Sequence, residues 1–248
     1  DVLGADGEKL TVTLQNTARI DGVLYVDELV IDDENATNQS AVRTLDIVSA
    51  GARNTTNVID HIHAERVSTF NLSGTQALTA NIIDAANTGG APAGITNLVV
   101  NGSALGAKLD LGIDAGIVSD VDAAGKTATF TGTAGATDQL TFVGAITATA
   151  NTIVSGFETV RFVDGSGDFD ASGVTGVTLY DIDSLTAAAA LDLNHLRSVE
   201  TVQINTDTAG AVAGKALTFA TEAASSTSSL TLNFRDADAT AGNTNTFG

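Results

Sequence analysis

Cysteine, methionine and tryptophan are all absent from the 248 residues, proline occurs once (Pro92), and aromatics make up 4%. No cysteine means no disulfide framework, so the fold must hold through packing alone. Without bulky Trp and Met, the apolar 43% must build its core from Val, Leu, Ile, Ala and a few Phe. Such side chains suit thin, regular layers. Positive charge is scarce as well. Thirty acids against 11 bases leave a formal charge of −19, a field that repels nucleic acid and anionic lipid and excludes both as partners. No apolar run reaches the roughly 18 residues of a membrane span, and no signal peptide is recognisable. The chain begins at Asp1 without Met, so we expect a mature form or an excised piece of a longer protein.

Thr, Val, Ile, Gly, Asn and Asp dominate what remains, a mixture of strand formers and turn formers. Apolar residues alternate with period two from end to end: Leu10/Val12/Leu14, Leu45/Ile47, Phe70/Leu72, Leu98/Val100, Leu140/Phe142, Val160/Phe162, Val177/Leu179, Val202/Ile204, Leu217/Phe219 and Leu230/Leu232/Phe234. That is the signature of many short strands. A loose repeat relates Val67–Leu72, Ile95–Val100, Phe157–Phe162, Val174–Leu179 and Val199–Ile204, with the second half of Ser229–Phe234 fitting as well. Its irregular spacing is compatible with solenoid coils of about 20 residues joined by loops of varying length. The expected fold is therefore all-β, an irregular parallel β-solenoid resembling a β-helix, with β-sandwich modules as the alternative. We expect an N-terminal β-lobe over 1–88, a loop-rich junction over 89–126 and a C-terminal β-repeat lobe over 127–248, or one continuous solenoid. Asp183–Leu196, with its alanine run, and Gly74–Asn87 are candidate helices.

Acidic loops are the main chemical feature. Asp32, Asp33 and Glu34 are consecutive. Asp120/Asp122, Asp181/Asp183 and Asp236/Asp238 are each two apart, and Asp164, Asp168 and Asp170 crowd one Gly-rich stretch. Calcium takes six to eight oxygens, and Gly/Asp turns supply carboxylates and backbone carbonyls together. The bland reading is that turn aspartates only cap and solvate. We expect calcium as the cofactor, with Asp164, Asp168 and Asp170 the best candidate ligands. Asp32, Asp33, Glu34, Asp120, Asp122, Asp236 and Asp238 come behind them. His61, His63 and Glu65 alternate in one strand-like segment and so share a face. They are a possible transition-metal set, although surface residues of no special role are the commoner outcome.

No nucleophile constellation is visible. Gly125-Lys126-Thr127 lacks the upstream glycine of a phosphate-binding loop, because residue 120 is Asp, and the segment after it reads as a strand. With no Trp and only two Tyr, the aromatic platforms common in carbohydrate enzymes are missing. We expect no enzyme here.

Gly132–Phe142 (GTAGATDQLTF), Asn151–Gly167 (NTIVSGFETVRFVDGSG) and Val174–Thr186 (VTGVTLYDIDSLT) resemble the Thr/Ala/Gly/Asp-rich repeats of Gram-negative S-layer proteins. They also resemble related RTX-type surface proteins exported by type I secretion. The SGFETVRF and LRSVETVQI segments are similar to the "E-T-V" strands of those proteins. The resemblance implies β-solenoid or β-sandwich lattice modules with bound calcium, at an extracellular bacterial surface. Such modules contact copies of themselves in a lattice or fibre, with a cell-surface polysaccharide as a further candidate partner. The family's dense calcium nonapeptides and C-terminal secretion signal have no counterpart here. An adhesin module binding glycan, neighbouring cells or ice is the alternative.

Overall fold

The computed structural model describes residues 8–16, 23–31, 42–51, 56–64, 67–83, 97–135, 137–185, 190–197, 200–205, 216–221 and 230–235. Among the described residues eighteen strands are formed: β1 (Glu8–Asn16), β2 (Val23–Val30), β3 (Val42–Gly51), β4 (Thr56–His63), β5 (Thr69–Gly74), β6 (Ala77–Ile83), β7 (Leu98–Leu105), β8 (Leu109–Asp114), β9 (Ala128–Thr131), β10 (Gln139–Ala148), β11 (Thr152–Ser155), β12 (Thr159–Asp170), β13 (Val174–Thr175), β14 (Leu179–Ile182), β15 (Leu191–Leu196), β16 (Thr201–Asn205), β17 (Leu217–Thr221) and β18 (Thr231–Arg235). Up to β14 they alternate between two sheets. The first sheet runs β1-β3-β5-β7-β9-β11-β13, and the second runs β18-β16-β14-β12-β10-β8-β6-β4-β2.

Every pairing between these strands is parallel. Parallel neighbours need crossover connections, and up to β14 the crossover is the strand in the opposite sheet. Each turn of the chain thus lays one strand in each layer, which makes a β-solenoid and rules out the antiparallel sandwich. Coil length follows from ladder contacts: Asn71 bonds to Asp46 across 25 residues, Thr127 to Asn97 across 30, and Asp138 to Glu158 across 20.

The core lies between the layers and consists of stacked rows. In the first sheet Leu10, Leu45, Phe70, Val100, Phe130, Val154 and Val174 are successive register partners. In the second, Val26, Ile59, Ala80, Leu111, Leu140, Val160, Tyr180 and Val202 form the matching row, and Leu232, next in register, is exposed. Aromatics bridge the layers in the C-terminal half. The Phe142 ring lies 5.9 Å from Phe130, 5.9 Å from Phe162 and 5.6 Å from Phe169.

Several local expectations are corrected. In β14 it is Tyr180 and Ile182 that point inward, while Leu179 faces out. The repeat copy is therefore Val177–Ile182, three residues later than the sequence comparison placed it. The described part of Gly74–Asn87, residues 74–83, is not a helix. It contains β6, whose Leu78, Ala80 and Ile82 alternate inward. The Asp183–Leu196 segment ends in a strand, β15, because Leu191 and Leu193 fill the core beside Phe169. Residues 186–189, which hold most of the alanine run, lie outside the described residues. The stretch 89–126 holds β7, β8 and the helix α1 (Ala115–Ala123), while 89–96 lie outside the described residues. The ladders β5-β7-β9 and β6-β8-β10 run straight through this stretch. Asp114 caps α1 by accepting from the Gly116 amide at 2.8 Å, and Ile117, Val118 and Val121 bury its inner face. β12 is long enough to fork the second sheet: Thr159–Phe162 pairs with β14, and Gly167–Asp170 pairs with β15, which pairs in turn with β17.

Candidate functional sites on the outer faces

Inward positions of the two sheets are alike, but outward positions are not. From β5 onward the first sheet contains no ionisable residue in any strand, its outward side chains being Thr69, Asn71, Ser73, Val99, Asn101, Ser103, Ala104, Thr129, Thr131, Ile153, Ser155 and Thr175. The second sheet carries Asp27, Glu28, Asp60, His61, His63, Asp110, Asp114, Arg161, Asp164 and Asp181. Its acids are partly matched along the ladder. Arg161 reaches Asp183 at 2.8 Å and Asp181 at 3.6 Å, Gln203 donates to Asp181 at 3.2 Å, and Asn205 donates to Asp183 at 3.0 Å.

Some acids are not surface groups. Asp138 is fully buried and accepts the Leu109 amide at 2.9 Å and the Thr133 amide at 2.6 Å. Its own amide donates to Glu158 Oε2 at 2.8 Å, and its carbonyl receives the Glu158 and Thr159 amides. Glu158 repeats the carbonyl role toward Thr178 and Leu179. Glu200, also buried, accepts the Arg197 amide. The acidic residue that opens each "D-Q-L" or "E-T-V" strand is thus a corner bracket. It satisfies backbone donors that would otherwise be buried and unpaired.

The calcium candidates fall into three situations. Asp32, Asp33, Glu34, Asp236 and Asp238 lie outside the described residues. Asp122 is buried at the end of α1, where Thr149 donates to it through its amide (2.9 Å) and hydroxyl (2.6 Å), and Asn151 at 3.2 Å. Asp120, two residues earlier on the same helix, lies nearer the surface. Asp164, Asp168 and Asp170 share β12 but have separate partners. Asp164, at a left-handed φ of 51°, exchanges bonds with Ser184. Asp168 stacks between Thr147 and Asp192 in the ladder. Asp170 caps a 3₁₀ turn through Ser172 and meets His195 at 2.8 Å. Burial opposes ionisation of Asp170, yet the Ser172 bonds and the adjacent imidazole bring its pKa below the ordinary value.

Among the described residues, one set of three His, Asp or Glu side chains brings its ligand atoms within 4.8 Å of one another: Asp27, Asp60 and His61. Local backbone geometry creates it. In β4 two residues, Asp60 and His61, separate the inward Ile59 and Ile62, and the β4–β6 register shifts at that point. In β2 the pair Asp27-Glu28 likewise separates Val26 from Leu29. The irregularities are aligned, with Val26 opposite Ile59 and Glu28 opposite His61. Asp60 accepts from Tyr25 at 2.8 Å and Asn81 at 3.4 Å, and His61 Nδ1 lies 3.6 Å from the Asp60 carboxylate. The bond to Asp60, with the charges of Asp60 and Asp27, holds the Tyr25 phenol above its usual pKa, so it remains a donor. His63 Nε2 meets Glu28 at 3.0 Å, and the two imidazoles stack at 6.3 Å. His61 and His63 do share a face, as alternation predicts, while Glu65 lies outside the described residues. Asp27 and Asp60 are not among the ligands that the acidic loops suggest. The signal for them is a spacing of three between inward apolar residues in two successive coils, an interruption of alternation that also occurs at Val42/Leu45 in β3 and Leu193/Leu196 in β15.

No protein-family profile, no curated protein and no solved structure matches this chain. Among the described residues no helix is long and apolar enough to cross a membrane.

Proposed function

We propose that this chain is a structural, self-assembling module of a bacterial cell surface, an S-layer or matrix-fibre subunit stabilised by calcium, and not an enzyme. The supporting observation is the unequal distribution of charge. A chain of net charge −19 repels its copies unless contact occurs where charge is absent or neutralised. The first sheet offers a face free of ionisable side chains over β5, β7, β9, β11 and β13. The occupant this face suits best is a second copy of the chain. The acidic face opposite, and the acidic loops, are where calcium offsets the remaining repulsion. Among the described residues β1 and β13, β2 and β18, and β17 on the branch end the parallel ladders, and open edges favour further strand pairing. The likeness of Gly132–Phe142 and Asn151–Gly167 to S-layer repeats points the same way and supplies the extracellular setting.

Electron microscopy of the purified chain with calcium and with chelator tests this reading. Ordered sheets or fibres that dissolve in chelator support it; a monomer under every condition overturns it. One observation favours an adhesin instead. The Thr69/Asn71, Asn101, Thr129/Thr131 and Ser155 ladder is a row of hydroxyl and amide groups suited to sugar hydroxyls. Saturable glycan-array binding by a non-assembling monomer would establish that alternative.

A further inference from the structure

We propose that Asp27, Asp60 and His61 bind one divalent transition cation of the zinc class, at a site separate from any calcium-binding loop. Three features carry this. The first is the donor set: two carboxylates and an imidazole nitrogen, mutually within 4.8 Å. Calcium prefers six to eight oxygens, whereas an imidazole with carboxylates suits zinc, copper or nickel. Three protein ligands leave a fourth position open to water or another donor. Ligands about 2.0–2.2 Å from a tetrahedral zinc stand roughly 3.5 Å apart. The set closes by side-chain rotation of about an ångström, which these surface side chains can make.

Second, the arrangement is built by the backbone. Two aligned irregularities, Asp27-Glu28 in β2 and Asp60-His61 in β4, turn four consecutive-pair side chains to the same side. Strict alternation would have sent one of each pair into the core. Third, the charge is unbalanced. Asp27, Glu28 and Asp60 crowd two adjacent strands, and among the described residues the only basic groups paired with Glu28 and Asp60 are His63 and His61. A bound dication supplies the missing positive charge. The Glu28–His63 pair beside the site holds the second imidazole stacked on the first.

The test is competition titration of the full chain with zinc against a chromophoric chelator, in a large excess of calcium. Wild type should bind one zinc per chain that calcium does not displace. His61→Ala and Asp27→Asn should each weaken binding by about tenfold or more. His195→Ala and Asp164→Asn, remote from the site, should leave it unchanged. Circular dichroism should confirm that every variant is folded. Retention of full affinity by Asp27→Asn would mean that the histidine pair alone captures metal, and the proposal fails. It fails equally if the calcium excess displaces the zinc, or if His61→Ala binds like wild type.

Discussion

The two sheets of this solenoid share one interior and differ in what they show to solvent. Inside, each contributes an unbroken apolar row, Leu45 to Val174 on one side and Ile59 to Val202 on the other. Outside, β5 to β13 of the first sheet present Thr, Asn, Ser, Ala, Val and Ile, while the second presents Asp, Glu, His and Arg. The comparison teaches that the fold constrains only half of each strand. Stacking requires apolar side chains at alternate positions and leaves the intervening ones free, so functional differences are written there.

The strongest way to break the claim of a common interior is to truncate a ring on each side. Phe130→Ala in the first sheet and Phe142→Ala in the second should each lower unfolding free energy by about 3–5 kcal/mol, read from denaturant midpoints. Their rings meet edge-on at 5.9 Å; a large loss in only one variant would mean the layers do not share a core. Next comes the corner bracket. Asp138→Ala strands the Leu109 and Thr133 amides and should cost about 3 kcal/mol by the same measurement. Glycines sharpen the contrast further. Gly74 has φ +117°, and a Cβ there would lie 2.0 Å from the Ser49 carbonyl oxygen; Gly144 has φ +93° with open space around it. Gly74→Ala should therefore cost about 2–3 kcal/mol and Gly144→Ala about 1 kcal/mol, a difference visible in thermal melts.

The smallest effects are electrostatic. Lys9 and Asn71 hydrogen-bond to Asp46 and hold its pKa below the ordinary 3.8. A depressed folded pKa adds stability above the unfolded value and loses it as pH falls through the folded one. Wild type should exceed Asp46→Ala by no more than about 0.5–1 kcal/mol at neutral pH. That gap should close as the pH drops below the ordinary carboxylate range, as followed by urea unfolding at several pH values.

Much of this architecture is legible in the residues themselves. Alternation at Leu45/Ile47, Phe70/Leu72 and Val160/Phe162 marks strands, and the repeat marks coils. Alternation is the same in a parallel stack and a sandwich, so it does not separate the two. Tyr180 shows where pattern reading slipped. Taking Val177 and Leu179 as the inward pair ignores the corner that Glu158 builds with Thr178 and Leu179, which shifts the phase by one. The candidate sites were less legible. Acidity alone cannot separate a bracket such as Asp138 from a surface ligand, since only tertiary burial distinguishes them. Asp27 and Asp60 depend on two irregularities falling in register between coils about 33 residues apart, a long-range coincidence that local pattern does not reveal.

The central claim is that copies meet on the face without charge. Placing charge there without disturbing the fold tests it most directly. Asn101 accepts from Ser103 through Oδ1, and Asp at that position keeps the acceptor, so Asn101→Asp combined with Thr131→Asp should leave the melting profile nearly unchanged. Sedimentation velocity in calcium should then show wild type assembling and the double variant remaining monomeric. Assembly of the variant to the same extent as wild type would contradict the account.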